Sequence, residues 1–107
     1  MKRGDLVTIA LQGDYGKPRP ALVIQSDLFT DHPSVTILPV TSELRNVPLF
    51  RIEVDPTPQT NLKNIAQVMV DKAQTVPCEK VGPAFGRLDD ATMLSINRAL
   101  AVWLGFA

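Results

Sequence analysis

The chain has 107 residues, which is enough for one compact domain with its own core and too short for two ordinary domains. Hydrophobic residues make up 45% and charged residues 21%, which is typical of a globular protein and excludes a disordered or fibrous chain. The 11 Lys and Arg residues balance the 11 Asp and Glu residues, so contact with nucleic acid would depend on a local basic patch rather than on overall charge.

The first half of the chain has the pattern of β-structure. Leu6–Leu11 is an apolar, β-prone run followed by the glycine-rich loop 13–16, which predicts a hairpin-like pair of strands. The second strand is expected at Ala21–Gln25 and the third at Val35–Val40. Pro39 has no backbone N–H to donate, which predicts that the third strand lies at a sheet edge or contains a bulge.

The second half of the chain adds strands and then changes period. Leu49–Val54 alternates apolar and polar residues, as a strand with one buried face does. Ile65–Val70 and Gln74–Val76 complete a predicted set of five to six strands. A helix is expected from Asp89 to Leu104, because Met93, Ile96, Leu100 and Trp103 lie three or four residues apart and form one apolar stripe.

These elements predict a mainly β fold over residues 1–107, a small SH3-like barrel closed by the C-terminal helix. No apolar run reaches the roughly 18 residues of a membrane span, and the N-terminus lacks the apolar stretch of a secretion signal. A cytoplasmic protein without membrane contact is therefore predicted.

Several kinds of catalysis are disfavoured by what the sequence lacks. It contains one histidine and one cysteine, and no phosphate-binding loop, His-Glu-x-x-His motif or nucleophile elbow. Cys78 cannot form an intrachain disulfide, and His32 precedes Pro33 in a turn where we expect it to be solvated. We therefore expect neither a metal nor a cofactor.

Arg19 is the most informative side chain, because it lies between two prolines at the start of an apolar strand. Proline fixes its own φ and favours extended backbone at the residue before it, so Pro18 and Pro20 hold Arg19 in an extended segment. An arginine restrained in this way is well placed to meet an anion.

Other polar residues also stand at strand ends. Thr41 and Ser42 follow the third strand, and Asp71 and Lys72 follow Ile65–Val70. If these ends meet Arg19, the site holds a guanidinium, two hydroxyls and a carboxylate, which suits phosphoryl transfer on a substrate that carries its own nucleophile. RNA is such a substrate, since its 2′-OH can attack the adjacent phosphorus.

Five sequence blocks, taken in order, resemble the MazF/PemK-type endoribonuclease toxins of bacterial toxin–antitoxin systems. The blocks are Arg3–Leu6, Lys17–Gln25, Leu38–Ser42, Gln67–Val76 and Gly86–Asp90. The resemblance implies a CcdB/PemK-like fold, a homodimer and a cognate antitoxin. It also implies an mRNA interferase that cuts single-stranded RNA to 2′,3′-cyclic phosphate and 5′-hydroxyl ends and so inhibits growth.

The resemblance also implies roles for individual residues. Arg19 and Thr41 match the pair most often given catalytic duty in the family. Arg19 suits charge stabilisation or proton donation, because arginine stays protonated. Asp71 matches a base used by some members that carry an Arg two residues earlier, where this chain has Met69.

RNA binding is expected from four further residues. Lys17 and Tyr15, in the loop 12–17, offer a phosphate contact and a stacking face for an unpaired base. Ser42 and Lys72 are expected to contact the RNA at the two strand ends. The antitoxin would compete for the same cations with an acidic, partly disordered segment.

Two other functions stay open at this stage. A toxin of the same fold could poison DNA gyrase by binding it; that branch uses a C-terminal Trp-Gly pair, which Leu104 interrupts here between Trp103 and Gly105. An SH3-like binding module would need an exposed aromatic groove, and aromatic residues make up only 6% of the chain.

Overall fold

A computed structural model describes residues 1–10 and 17–107. Across these residues, seven strands form a curled antiparallel sheet that is followed by one α-helix. The helix α1 spans Asp90–Leu104. The strands are β1 (Asp5–Ile9), β2 (Arg19–Val23), β3 (Ser34–Thr41), β4 (Arg51–Val54), β5 (Ala66–Met69), β6 (Gln74–Pro77) and β7 (Gly86–Arg87).

Strand β3 lies at the centre of the sheet, so of the two outcomes predicted from Pro39, an edge or a bulge, the edge is wrong. One side of β3 pairs with β2. The other side pairs with β6 at Ser34–Ile37 and then with β5 at Val40 and Thr41. Pro39 lies in the gap between these two ladders. Its missing N–H therefore costs no ladder hydrogen bond at this position.

The sheet buries apolar side chains on both faces. Leu6, Leu22 and Leu38 stand side by side in register and pack with Met93 and Ile96 of α1. The alternate residues of the same strands form a second cluster, made of Val7, Ile9, Ala21, Val23, Val35, Ile37 and Val76. This alternation follows from the period of two along a strand.

Helix α1 confirms the predicted helix, and Asp89 caps its first turn. The Asp89 carboxylate accepts a hydrogen bond from the Thr92 N–H at 2.6 Å. Hydrogen bonds from the Thr92 side chain and from its backbone N–H hold the pKa of Asp89 below its usual range. Met93 and Ile96 are buried as predicted. Trp103, on the same predicted stripe, is 50% exposed, with its ring centroid 5.8 Å from that of Phe50.

The predicted strands are present, with shifted ends. The segment expected at Leu49–Val54 becomes a strand only from Arg51 onward, and β7 has two residues, too few for a periodic pattern. Leu11 and the loop 13–16 lie outside the described residues. Within the described residues, no helix is both long and apolar enough to cross a membrane.

Candidate functional site

The start of β2 and the end of β3 meet beside a cavity of about 460 Å³. The antiparallel ladder between the two strands ends where Ala21 lies opposite Pro39, so Arg19 and Thr41 lie at adjoining ends of the two strands. Both residues line the cavity, as does Ser42. The structure therefore brings together three of the site residues predicted from the sequence.

The cavity lining is locally basic although the chain is neutral overall. Among the described residues that line it, Arg19 and Lys63 carry positive charge and none carries a carboxylate. Asn64 and Gln74 add amide groups, and Ile9, Val40 and Ala66 add apolar surface. A lining of this kind attracts an anion that also has an apolar part, as a nucleotide has.

Thr41 is held by its own turn. Its Oγ1 accepts a hydrogen bond from the Glu43 N–H at 3.0 Å, which is a common turn contact for a threonine. The contact uses the oxygen as an acceptor and leaves the hydroxyl proton for donation to a ligand. The structural role and the catalytic role predicted for this threonine are thus compatible.

The loop after Thr41 is fixed by Gln67, a residue for which no role was predicted from the sequence. Gln67 is 7% exposed, and its Nε2 donates to the Arg45 carbonyl at 2.9 Å. Its Oε1 accepts from the Arg45 N–H at 3.0 Å and from the Arg51 guanidinium at 3.2 Å. Arg51 also donates to the Glu43 carbonyl at 2.8 Å. A polar residue within the apolar run Ile65–Val70 was the available sequence signal.

Asp71 and Lys72 lie on a 3₁₀ helix, Val70–Lys72, that follows β5. The lining of the cavity, as far as the described residues define it, does not include either of them. Lys72 Nζ lies 3.9 Å from Asp71 Oδ2, and Asp71 Oδ1 is buried without a hydrogen-bond partner in the described part of the chain. The structure thus places these two residues outside the Arg19 and Thr41 cavity.

The remaining predicted RNA contacts lie before β2. Lys17 is exposed and precedes Arg19 by two residues. Tyr15 lies outside the described residues, as do the other residues of 11–16. The loop between β4 and β5 contributes Lys63 and Asn64 to the cavity. Neither residue was predicted from the sequence, because neither adjoins a block that resembles the family.

Comparison with known proteins identifies the family. Residues 2–104 match the family described as PemK-like, MazF-like toxin of type II toxin–antitoxin system. The chain belongs to this family. It is 45% identical over 108 residues to a probable endoribonuclease MazF from Mycolicibacterium smegmatis, and the match covers 100% of this chain and 99% of that relative.

Solved structures of the family share the fold. An endoribonuclease in complex with its cognate antitoxin, from a mycobacterial species, superposes with a TM-score of 0.81 at 26% identity, covering 100% of this chain and 97% of that one. A MazE–MazF structure from Deinococcus radiodurans gives a TM-score of 0.81 at 18% identity, covering 98% of this chain and 96% of that chain. The predicted resemblance to MazF/PemK-type toxins is confirmed, and gyrase poisoning and simple peptide binding are not favoured.

Proposed function

We propose that this toxin cuts single-stranded mRNA without a metal ion, by attack of a 2′-OH on the adjacent phosphorus. The products would carry 2′,3′-cyclic phosphate and 5′-hydroxyl ends, and loss of mRNA would inhibit growth. The observation that supports this most strongly is the meeting of Arg19 and Thr41 in one basic cavity. Membership of an endoribonuclease toxin family gives the same reaction class.

The reaction asks three things of the site. The 2′-oxygen forms a bond to phosphorus while the bond from phosphorus to the 5′-oxygen breaks, so negative charge builds up on the non-bridging oxygens. The 2′-OH must lose a proton, and the departing 5′-oxygen must gain one. Each of these needs can be met by a side chain.

Arg19 is assigned to the developing charge and to the proton that the departing 5′-oxygen must gain. A guanidinium stays protonated at ordinary pH and presents several N–H donors in one plane, which matches the oxygens of a phosphate. The pairing of β1 with β2, which joins Ile9 to Arg19, and the neighbouring prolines restrict its backbone. A donor placed in advance costs little reorganisation during the reaction.

Thr41 is assigned as a hydroxyl donor to the reacting phosphate, and Asp71 as the predicted base for the 2′-OH proton. Asp71 lies on the 3₁₀ helix after β5, so this second assignment requires the reacting 2′-OH to lie within hydrogen-bond reach of that helix while the adjacent phosphate contacts Arg19 and Thr41. Ser42, Lys72, Lys17 and Tyr15 are proposed to bind the RNA along the same path.

The same cavity is the proposed target of the antitoxin. A mycobacterial endoribonuclease of this fold forms a complex with its cognate antitoxin. We extend this to the present chain: an acidic segment would occupy the basic lining and exclude RNA. A homodimer, a cytoplasmic location and a single domain over residues 1–107 belong to the same proposal.

The test is cleavage of a long single-stranded RNA in EDTA by the wild type, Arg19→Ala and Thr41→Val. Arg98→Ala, which removes an exposed arginine of α1, is the matched control. We expect cuts at selected sites with cyclic-phosphate ends, unchanged in Arg98→Ala and lost in the two site variants. Intact RNA together with inhibition of gyrase would refute the proposal. Asp71→Asn tests the base separately. A general base acts only when it is deprotonated, so this variant should lose the acid limb of the pH–rate profile.

A further inference from the structure

We propose that Asn64 hydrogen-bonds to the edge of an unpaired base next to the cut phosphate and so helps to set the cleavage sequence. In the same proposal Lys63 contacts a neighbouring phosphate. This inference rests on the proposed RNA cleavage, since it names a substrate contact of the same cavity. The supporting observations are the position of the two residues, their available polar groups and the way their loop is held.

Position is the first observation. In the sheet, β3 lies between β2 and β5, so Thr41 at the end of β3 has Arg19 on one side and the residues that lead into β5 on the other. Neighbouring strands are about 4.8 Å apart, so β2 and β5 are separated by roughly 10 Å at backbone level. An RNA chain crossing these strand ends would meet Arg19 at one nucleotide and Asn64 at another.

The second observation concerns the polar groups. Within the described part of the chain, Lys63 and Asn64 make no side-chain hydrogen bond or ion pair, and both are exposed. An asparagine amide has donors and an acceptor next to each other, which is the pattern needed to distinguish one base edge from another. A lysine ammonium presents charge alone, which suits a phosphate of any sequence.

The third observation is that the loop carrying the two residues is tied down by a buried threonine. Thr60 is 5% exposed, and its hydroxyl donates to the Asp55 carbonyl at 2.9 Å. The same oxygen accepts from the Thr57 N–H at 2.9 Å. The loop between β4 and β5 is therefore closed on itself three residues before Lys63.

The loop is also joined to β7 and the segment before it. Asn61 adopts a left-handed backbone conformation with φ of 56°, and its Nδ2 donates to the Phe85 carbonyl at 3.1 Å. The Arg87 N–H donates to the Gln59 carbonyl at 2.9 Å. A Cβ at Gly86 would clash with the Thr60 carbonyl oxygen, so the two segments are in direct backbone contact. A loop fixed in advance loses little entropy on binding, which is what a selective contact requires.

The experiment compares cleavage of short single-stranded RNAs in which each position around the cut is varied. The variants are Asn64→Ala and Lys63→Ala. Gln59→Ala, on the same loop but outside the cavity lining, and Lys80→Ala, an exposed lysine elsewhere, are the controls. Melting temperatures are measured for all four.

We expect Asn64→Ala to reduce the preference for the favoured base at one position by roughly tenfold while cutting continues at other sequences. Lys63→Ala should lower kcat/KM by a similar factor for every sequence and reduce the slope of log affinity against log salt by about one. The two controls should behave like the wild type.

Unchanged base preferences in Asn64→Ala, or loss of all cutting at an unchanged melting temperature, would overturn the assignment of Asn64 to base contact. A sequence-dependent effect of Lys63→Ala would overturn its assignment to phosphate. If the wild type cuts RNA but these results are negative, only this inference fails. If the wild type cuts no RNA, the proposed function fails with it.

Discussion

Replacing Gln67 with leucine should weaken both the fold and the cleavage reaction. The side chain is almost fully buried and makes two hydrogen bonds to Arg45, in the loop that follows Thr41, and one to Arg51 of β4. Leucine has a similar volume but no polar atom, so the Arg45 N–H and carbonyl lose their partner. Arg51 loses one contact and keeps its bond to the Glu43 carbonyl.

The expected loss of stability follows from those contacts. A net contribution of about 1 kcal/mol for each of the two bonds to Arg45 gives about 2 kcal/mol, and the third bond adds little because Arg51 keeps another acceptor. For 107 residues the entropy of unfolding is roughly 0.22 kcal/mol/K. The melting temperature should therefore fall by roughly 9 °C.

Thermal unfolding followed by circular dichroism measures the first effect, and cleavage of a defined RNA measures the second. We expect kcat to fall by roughly ten- to a hundredfold below the new melting temperature, because the loop sets the backbone beside Thr41. Gln67→Glu keeps an acceptor for the Arg45 N–H and for Arg51 but sets a buried carboxylate oxygen against the Arg45 carbonyl, so it should also destabilise the fold. Gln59→Leu, at an exposed position, is the control and should change stability by less than about 0.5 kcal/mol.

Two results would refute this reasoning. Equal melting temperatures for Gln67→Leu and Gln59→Leu would show that the three hydrogen bonds contribute nothing net. A loss of stability with an unchanged kcat would show that Gln67 supports the fold without positioning the catalytic loop.

Three further predictions follow. Gly86→Ala should lower the free energy of unfolding by more than about 2 kcal/mol, because its Cβ would meet the Thr60 backbone, and an unchanged urea midpoint would contradict this. Asp89→Ala should lower the melting temperature at pH 7. Hydrogen bonds from Thr92 lower the pKa of Asp89. The ionised Asp89 carboxylate therefore stabilises the fold above the ordinary carboxyl pKa, and this stabilisation is lost as pH falls through the lowered value. Wild type and Asp89→Ala should then converge in strong acid, and a constant gap in an acid titration would argue against it. Arg19→Lys keeps the positive charge but loses the planar set of N–H donors of the guanidinium, so kcat should fall by roughly tenfold or more with little change in stability. Full activity of this variant would show that Arg19 acts only as a point charge.

Features that depend on neighbouring residues could be predicted from the sequence. Alternation placed β4, the apolar stripe and Asp89 placed α1, and two prolines fixed the backbone at Arg19. The ordered blocks also identified the family and its principal candidate residues. These signals are local because a strand, a cap or an extended dipeptide is specified within a few residues.

Which distant residues share a site depends on the tertiary fold. Pro39 predicted an edge or a bulge, yet β3 is paired on both sides, and its partner on one side changes from β6 to β5 at that residue. The fold brought Lys63 and Asn64 into the cavity and placed Asp71 outside its described lining. Such proximity depends on strand register and loop closure over many residues, and no local propensity encodes it.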